Sequence, residues 1–157
     1  MKKIMLISLL SAILFSSTAC KKDKEETEAT AISVKIDGNT WNADLSVSVY
    51  ISSTGITSIL GSSGLSEQVQ ILFKGNSTGT YNFTTDFEDA YCVFAYMSGD
   101  IYTSANANVP TGQIIVTKYD QEKKLISGTF QFTGINFEDE SKLFTEGVFT
   151  NVKFENQ

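Results

Sequence analysis

The chain of 157 residues has no histidine and no arginine. Without imidazole, Ser-His-Asp and Cys-His nucleophilic sites in their usual forms are excluded. Imidazole acid–base chemistry goes with them, as does the commonest metal ligand. Without guanidinium there is no bidentate clamp for a carboxylate or a phosphate. Cysteine is scarce as well, with two residues, Cys20 and Cys92. No intramolecular disulfide is expected if Cys20 is consumed by another chemistry, so the domain has to stand on its core alone. Cys92 sits in the apolar run Ala-Tyr-Cys-Val-Phe-Ala-Tyr and is expected to be a small buried core residue rather than a reactive thiol. No glycine loop leads into a helix that would cradle phosphate. None of the lysines of the domain stands in a Ser-x-x-Lys setting. No catalytic, cofactor-binding or metal-ligating residue is assigned, and no cofactor is expected.

The N-terminus is where the sequence is most specific. Lys2 and Lys3 form a positive start, Ile4 to Phe15 is apolar apart from Ser8 and Ser11, and small residues run from Ser16 to Ala19 before Cys20. That order is the layout of a secretory signal. As a helix the apolar run would be roughly 18 Å long at about 1.5 Å per residue, short against a hydrocarbon core of about 30 Å. Ser17-Thr18-Ala19-Cys20 resembles the bacterial lipobox, in which the cysteine sulfur receives a diacylglyceryl group before the leader is removed. Ser17 departs from the usual leucine there. The resemblance implies residues 1–19 as signal peptide, Cys20 as the lipid attachment site, and a cell-envelope location at the outer membrane. Two or more acyl chains hold a protein stably where one does not.

From Cys20 onward there are 10 Lys against 18 Asp plus Glu, a formal balance of 10 − 18 = −8. Such a surface repels phosphates, so nucleic acid is not expected as a partner, and docking to anionic headgroups is disfavoured. Residues 21–30, K-K-D-K-E-E-T-E-A-T, have almost nothing to bury and read with Cys20 as a disordered tether.

From residue 31 to 157 the dominant period is two, the signature of half-buried strands. Ile32, Val34 and Ile36 alternate with polar residues and lead into the Asp37-Gly38-Asn39 turn. Leu45, Val47, Val49 and Ile51 repeat the pattern, which sets Tyr50 on the outward, serine-rich face. Val69, Ile71 and Phe73 follow, then Ile126, Phe130 and Phe132, then Val148, Val152 and Phe154. Ala90 to Met97 and Gly112 to Tyr119 are apolar at successive positions, as central strands are. Turn signals fall at Thr54-Gly55, Gly61 to Gly64, Gly75 to Gly79 and Ser98 to Asp100. No segment after the leader sustains a 3.6 period. The expectation is an all-β fold, a single antiparallel sandwich or barrel of about ten strands.

One stretch echoes another. Gly79-Thr80-Tyr81-Asn82-Phe83-Thr84 before Asp86-Phe87-Glu88-Asp89 parallels Gly128-Thr129-Phe130-Gln131-Phe132-Thr133 before Asn136-Phe137-Glu138-Asp139. If the two strands lie side by side or are symmetry-related, their acidic loops would converge as a candidate Ca²⁺ site, against the plainer reading of solvated loops.

Several of these segments carry a family resemblance. Ile36-Asp37-Gly38-Asn39-Thr40-Trp41, Gly79-Thr80-Tyr81 and Gly112-Gln113-Ile114-Ile115-Val116-Thr117 are part of it. Residues 124–132 (K-L-I-S-G-T-F-Q-F) and 146–152 (E-G-V-F-T-N-V) continue it. Together they resemble small Bacteroidota lipoproteins carrying a β-rich domain of unknown function. The resemblance implies an envelope β domain and transfers no active site.

Three readings of function remain. The first is a non-enzymatic domain that binds a protein or glycan partner or plays a structural role, held at the membrane through lipid on Cys20. The second is a carboxylate-dependent hydrolase acting on polysaccharide, which needs two carboxylates facing across a cleft. The third is a hydrophobic-ligand carrier, which needs a barrel with an open interior. Trp41 and the tyrosines could stack on sugar rings, with burial in the core the commoner fate of such rings.

Overall fold

The computed structural model describes residues 31–156 apart from Leu45, residues 52–54, Leu65, residues 86–88 and residues 107–109. The leader, Cys20, the tether and the Asp86–Glu88 part of the first acidic loop lie outside the described residues, as does the side chain of Tyr50. Among the described residues eleven strands follow one another. The first six are β1 (Ala31–Ile36), β2 (Asn39–Ala43), β3 (Ser46–Ile51), β4 (Ile56–Ser63), β5 (Glu67–Lys74) and β6 (Gly79–Asn82). They are followed by β7 (Ala90–Tyr96), β8 (Ile101–Thr103), β9 (Gly112–Asp120), β10 (Leu125–Ile135) and β11 (Ser141–Asn156). Among the described residues the helical content is a single 3₁₀ turn, Ser104–Asn106.

The all-β expectation holds, and the strands close on themselves. β2, β1, β11, β10, β9 and β6 lie side by side as one antiparallel layer. β3, β4, β5, β7 and β8 form the other. Two corners join them: the end of β11 pairs with β3 through Phe154–Val49 and its neighbours, and β8 meets β10 at Thr103–Ile135. The sheet is antiparallel as expected, and among the described pairings the β11–β3 pair alone is parallel. Its cause is local: β2 is two antiparallel steps from β11 and so runs with it, and β3 continues in that direction.

The hairpin β1–β2 turns at Asp37-Gly38, with φ of 49° and 85°. Positive φ at both central residues is what a type I′ turn requires, and Asp-Gly suits it. β4 was not among the strands read from the sequence, where Gly61 to Gly64 reads as a turn. Gly61 instead lies buried inside β4, where a Cβ would stand 2.9 Å from Ala43 Cβ and 3.0 Å from Ile32 Cδ1. The glycine serves close approach of the two layers rather than a bend.

β11 explains how one strand serves both layers. Its inward residues are Phe144, then Gly147 and Phe149, then Val152 and Phe154, so the parity of the buried positions switches twice. Each switch is a β-bulge. Against β10 the register slips between Phe130 and Phe132, and again between Ile126 and Gly128. At the slips Glu146 and Asn151 take left-handed φ of 51° and 48°. Bulges bend and twist a strand, and these two carry β11 from one layer to the other. They also correct the alternation read from Val148, Val152 and Phe154. Val148 points outward, 39% exposed, and Phe149 takes the inward place.

The interior is filled by rings and branched aliphatics. Phe73, Phe94, Phe144, Phe149 and Phe154 are almost fully buried. Phe132 stacks on Phe144 with centroids 4.1 Å apart, and Trp41 meets Phe94 edge-on at 5.4 Å. Cys92 is a free, buried thiol, as its apolar setting implies.

Candidate binding groove

The antiparallel register carries the outward residues of β2, β1, β11, β10, β9 and β6 into rows across the sheet. One row runs Asn42, Ser33, Val148, Thr129, Ile115, Thr80. The next runs Thr40, Lys35, Thr145 with Glu146, Gln131, Gln113, Asn82. Six strands at about 4.8 Å spacing make this face roughly 24 Å wide. A groove of about 420 Å³ lies along it, lined by residues of both rows.

Its chemistry is mixed and compact. Hydroxyls come from Ser33, Thr40 and Thr129 and amides from Gln113 and Gln131, over an apolar floor that includes Ile115 and Val148. Gln113 and Gln131 are cross-strand partners, and neither side-chain amide is bonded to another described residue. Lys35 and Glu146 close one side, Nζ lying 2.8 Å from both carboxylate oxygens. Glu146 sits on the bulge, and Gly147 beside it is obligatory, since a Cβ there would lie 2.5 Å from the Phe130 carbonyl oxygen. A non-glycine residue in left-handed backbone costs about 1–2 kcal/mol, and such residues gather at functional sites.

A second, smaller hollow of about 280 Å³ lies at the end of the domain marked by the Asp37-Gly38 turn, between Trp41, Tyr96, Glu67, Asp37 and Lys142. Two carboxylates line it, but Asp37 is engaged. Its Oδ1 accepts the Leu143 N–H at 2.9 Å and its Oδ2 lies 3.7 Å from Lys142 Nζ. Both oxygens thus fasten the β1–β2 turn to β11. Burial, then the nearby Glu67 carboxylate, pushes the Tyr96 hydroxyl above its ordinary pKa. Trp41 is buried here as a core ring, 7% exposed.

The two echoing segments do lie in equal register, on opposite sides of β9. Thr80 and Thr129 both face Ile115, and Tyr81 and Phe130 both face Ile114. Their acidic loops part company afterwards. β10 turns straight back at Asn136–Glu140 into β11, whereas the chain after β6 crosses to β7. Asp89 ends beside Lys74, whose N–H bonds its carbonyl at 2.7 Å, at the other end of β7 from Tyr96. Among the described residues no group of three or more Asp, Glu, Cys or His is placed to hold a metal ion.

The sequence did not point to Lys35, Gln113, Gln131 or Glu146 as a set. Its one readable signal was the Glu-Gly pair at 146–147, which interrupts a period-two run where the buried parity changes.

Fold and groove together define a closed, two-layered β domain with a groove of hydroxyls and amides on the outer face of one layer. Residues 28–153 match the family described as a domain of unknown function, DUF6252, and the chain belongs to that family. No curated protein and no solved structure matches the chain.

Proposed function

We propose that this is a lipid-anchored cell-envelope protein of the outer membrane, attached through Cys20, whose β domain is a non-enzymatic binding module for a neutral glycan. The observation that carries the reading is the groove. Unbonded amides at Gln113 and Gln131 stand in line with hydroxyls and a self-neutralised Lys35–Glu146 pair on an uncovered sheet face. Planar amides donate and accept at adjacent positions, as vicinal sugar hydroxyls do. The ion pair leaves the groove without net charge, while the acidic surface around it disfavours anionic chains. Glu146 is the one carboxylate lining the groove, and hydrolysis of a glycosidic bond takes two. Among the described residues the interior is filled by rings, which leaves a hydrophobic-ligand carrier no lumen between them.

Affinity electrophoresis of the mature chain through gels containing neutral polysaccharides (α-glucan, β-glucan, mannan, xylan) tests the binding half. Retardation by at least one, weakened about tenfold or more by Gln113→Ala with Gln131→Ala, is the expected result, about 1.4 kcal/mol or more of binding. No retardation by any of them sinks the glycan reading. For the anchor, Cys20→Ser is expected to abolish partition into detergent, and a variant that partitions like wild type refutes lipidation.

A further inference from the structure

Among the described residues five large hydrophobics are exposed, and four of them gather at one end of the domain: Met97 (73%), Ile101 (37%), Phe137 (84%) and Leu143 (53%). They belong to the β7–β8 turn, the start of β8, the β10–β11 turn and the start of β11. Lys142 ties these segments together. Its Nζ lies 5.3 Å from the Tyr102 ring centroid, 5.9 Å from that of Tyr96 and 3.7 Å from Asp37 Oδ2. Thr103 pairs with Ile135, so Ile101 and Phe137 extend from adjoining strands.

Phe137 stands on a built turn. Asn136 Oδ1 accepts the N–H groups of Glu138 and Glu140 at 3.0 and 2.8 Å, and its Nδ2 donates to Glu140 Oε2 at 3.1 Å. A ring held out on a fixed turn needs little ordering on contact, which favours association. Clustered exposed apolar groups of this kind mark interaction sites. The turns around them carry Asp37, Asp100, Glu138 and Asp139 and no lysine. The chain enters the domain at Ala31, at the other end of β1 from the Asp37-Gly38 turn.

We infer that this end is a docking surface for a protein partner whose contact face is an apolar socket rimmed by lysine or arginine. The carboxylates supply the complementarity: they repel a second copy of the same end and an anionic bilayer alike, and attract a basic rim. Phe137, Met97 and Ile101 fill the socket.

The test is photo-crosslinking in intact cells that make the protein, with a benzophenone amino acid at position 137, at 97, or at 76 in the β5–β6 turn as control. A discrete adduct from 137 and 97, about fivefold or more above that from 76, is expected. It should fall by a similar factor when Asp100→Asn, Glu138→Gln and Asp139→Asn are combined, a change of about 1 kcal/mol in the contact. Equal labelling at 76, no discrete adduct, or an adduct indifferent to removal of the charges overturns the inference. So does co-sedimentation with phosphatidylcholine vesicles that Phe137→Ser abolishes, since the surface would then be one for lipid.

Discussion

Glu146 holds Lys35 at 2.8 Å from a backbone twisted to φ 51°, across a sequence separation of 111 residues. The ion pair is exposed, and such pairs contribute about 0–1 kcal/mol, while the left-handed backbone costs about as much or more. Glu146→Gly removes both and is expected to leave stability within about 1 kcal/mol of wild type, read as a urea midpoint. Glycan retention should nonetheless fall about tenfold. A variant that loses several kcal/mol would show that the pair holds the bulge instead of serving the groove.

Gly128 is another tight place in the same sheet. A Cβ there would lie 2.2 Å from the Ile115 carbonyl oxygen and 2.5 Å from Phe149 Cζ. Neither neighbour yields easily, one being ladder backbone and the other a fully buried ring. Gly128→Ala is expected to cost about 2–3 kcal/mol by overpacking. Gly38→Ala, where a Cβ meets nothing within 4 Å but φ is 85°, should cost about 1 kcal/mol. Denaturant unfolding of the two variants side by side checks the order.

The sequence made the strands legible wherever one face is buried and the other wet. Ile32, Val34 and Ile36 alternate cleanly because β1 is such a strand, and Asp37-Gly38 announces its turn. β4 was illegible because Thr57, a polar residue, is fully buried there, its Oγ1 donating to the Gly75 carbonyl at 2.6 Å. With Gly61 inside as well, neither end of β4 keeps the alternation. Ile115 reads as core and lies on the groove floor, since the outer face of β9 is apolar there without being covered. The groove itself could not be read: Gln113 and Gln131 meet across the β9–β10 hairpin, Lys35 joins them only through the pairing of β1 with β11 at the far end of the chain, and no local period encodes a register between strands. Glu146 was hidden further by its bulge, which only the slip in parity betrays.

Cys92 and three tyrosines, Tyr102 buried and Tyr91 and Tyr119 half-buried, give the pH response its direction. Burial pushes the Cys92 thiol well above its ordinary value, and raises Tyr91 and Tyr119. Tyr102 is raised by burial first and then by Glu140, whose Oε2 accepts its hydroxyl hydrogen at 3.3 Å. Acids whose folded pKa is raised favour the fold fully below the unfolded value, and that contribution is lost as pH climbs through the folded one. Unfolded thiols titrate near about 8.5 and phenols near about 10. The urea midpoint should therefore not fall between about pH 7 and 8 on account of these groups, and should drop above about pH 9. Iodoacetamide at about pH 8 should spare Cys92 in the native state and modify it once the chain unfolds.

The β10–β11 turn separates the two readings of its acidic residues. Asn136, 6% exposed, accepts two backbone N–H groups through Oδ1 and donates to Glu140 through Nδ2. Glu140 is in turn bonded to Tyr102, so its carboxylate is already committed inside the turn. Asn136→Ala strips the two N–H groups of their acceptor and should cost about 1–3 kcal/mol. Asn136→Asp keeps the acceptor but loses the donor and sets a second carboxylate against Glu140, so it should also destabilise, increasingly so as pH rises from about 3 to 7. Calcium discriminates between a turn and a cation site. A bound cation raises the melting temperature with the logarithm of its concentration over its Kd, so a site filled at millimolar Ca²⁺ would show a rise over chelator that Asp139→Asn removes. With Glu140 engaged and Asp89 at the other end of β7, the expected result is no rise in either chain, while Asn136→Ala lowers both curves alike.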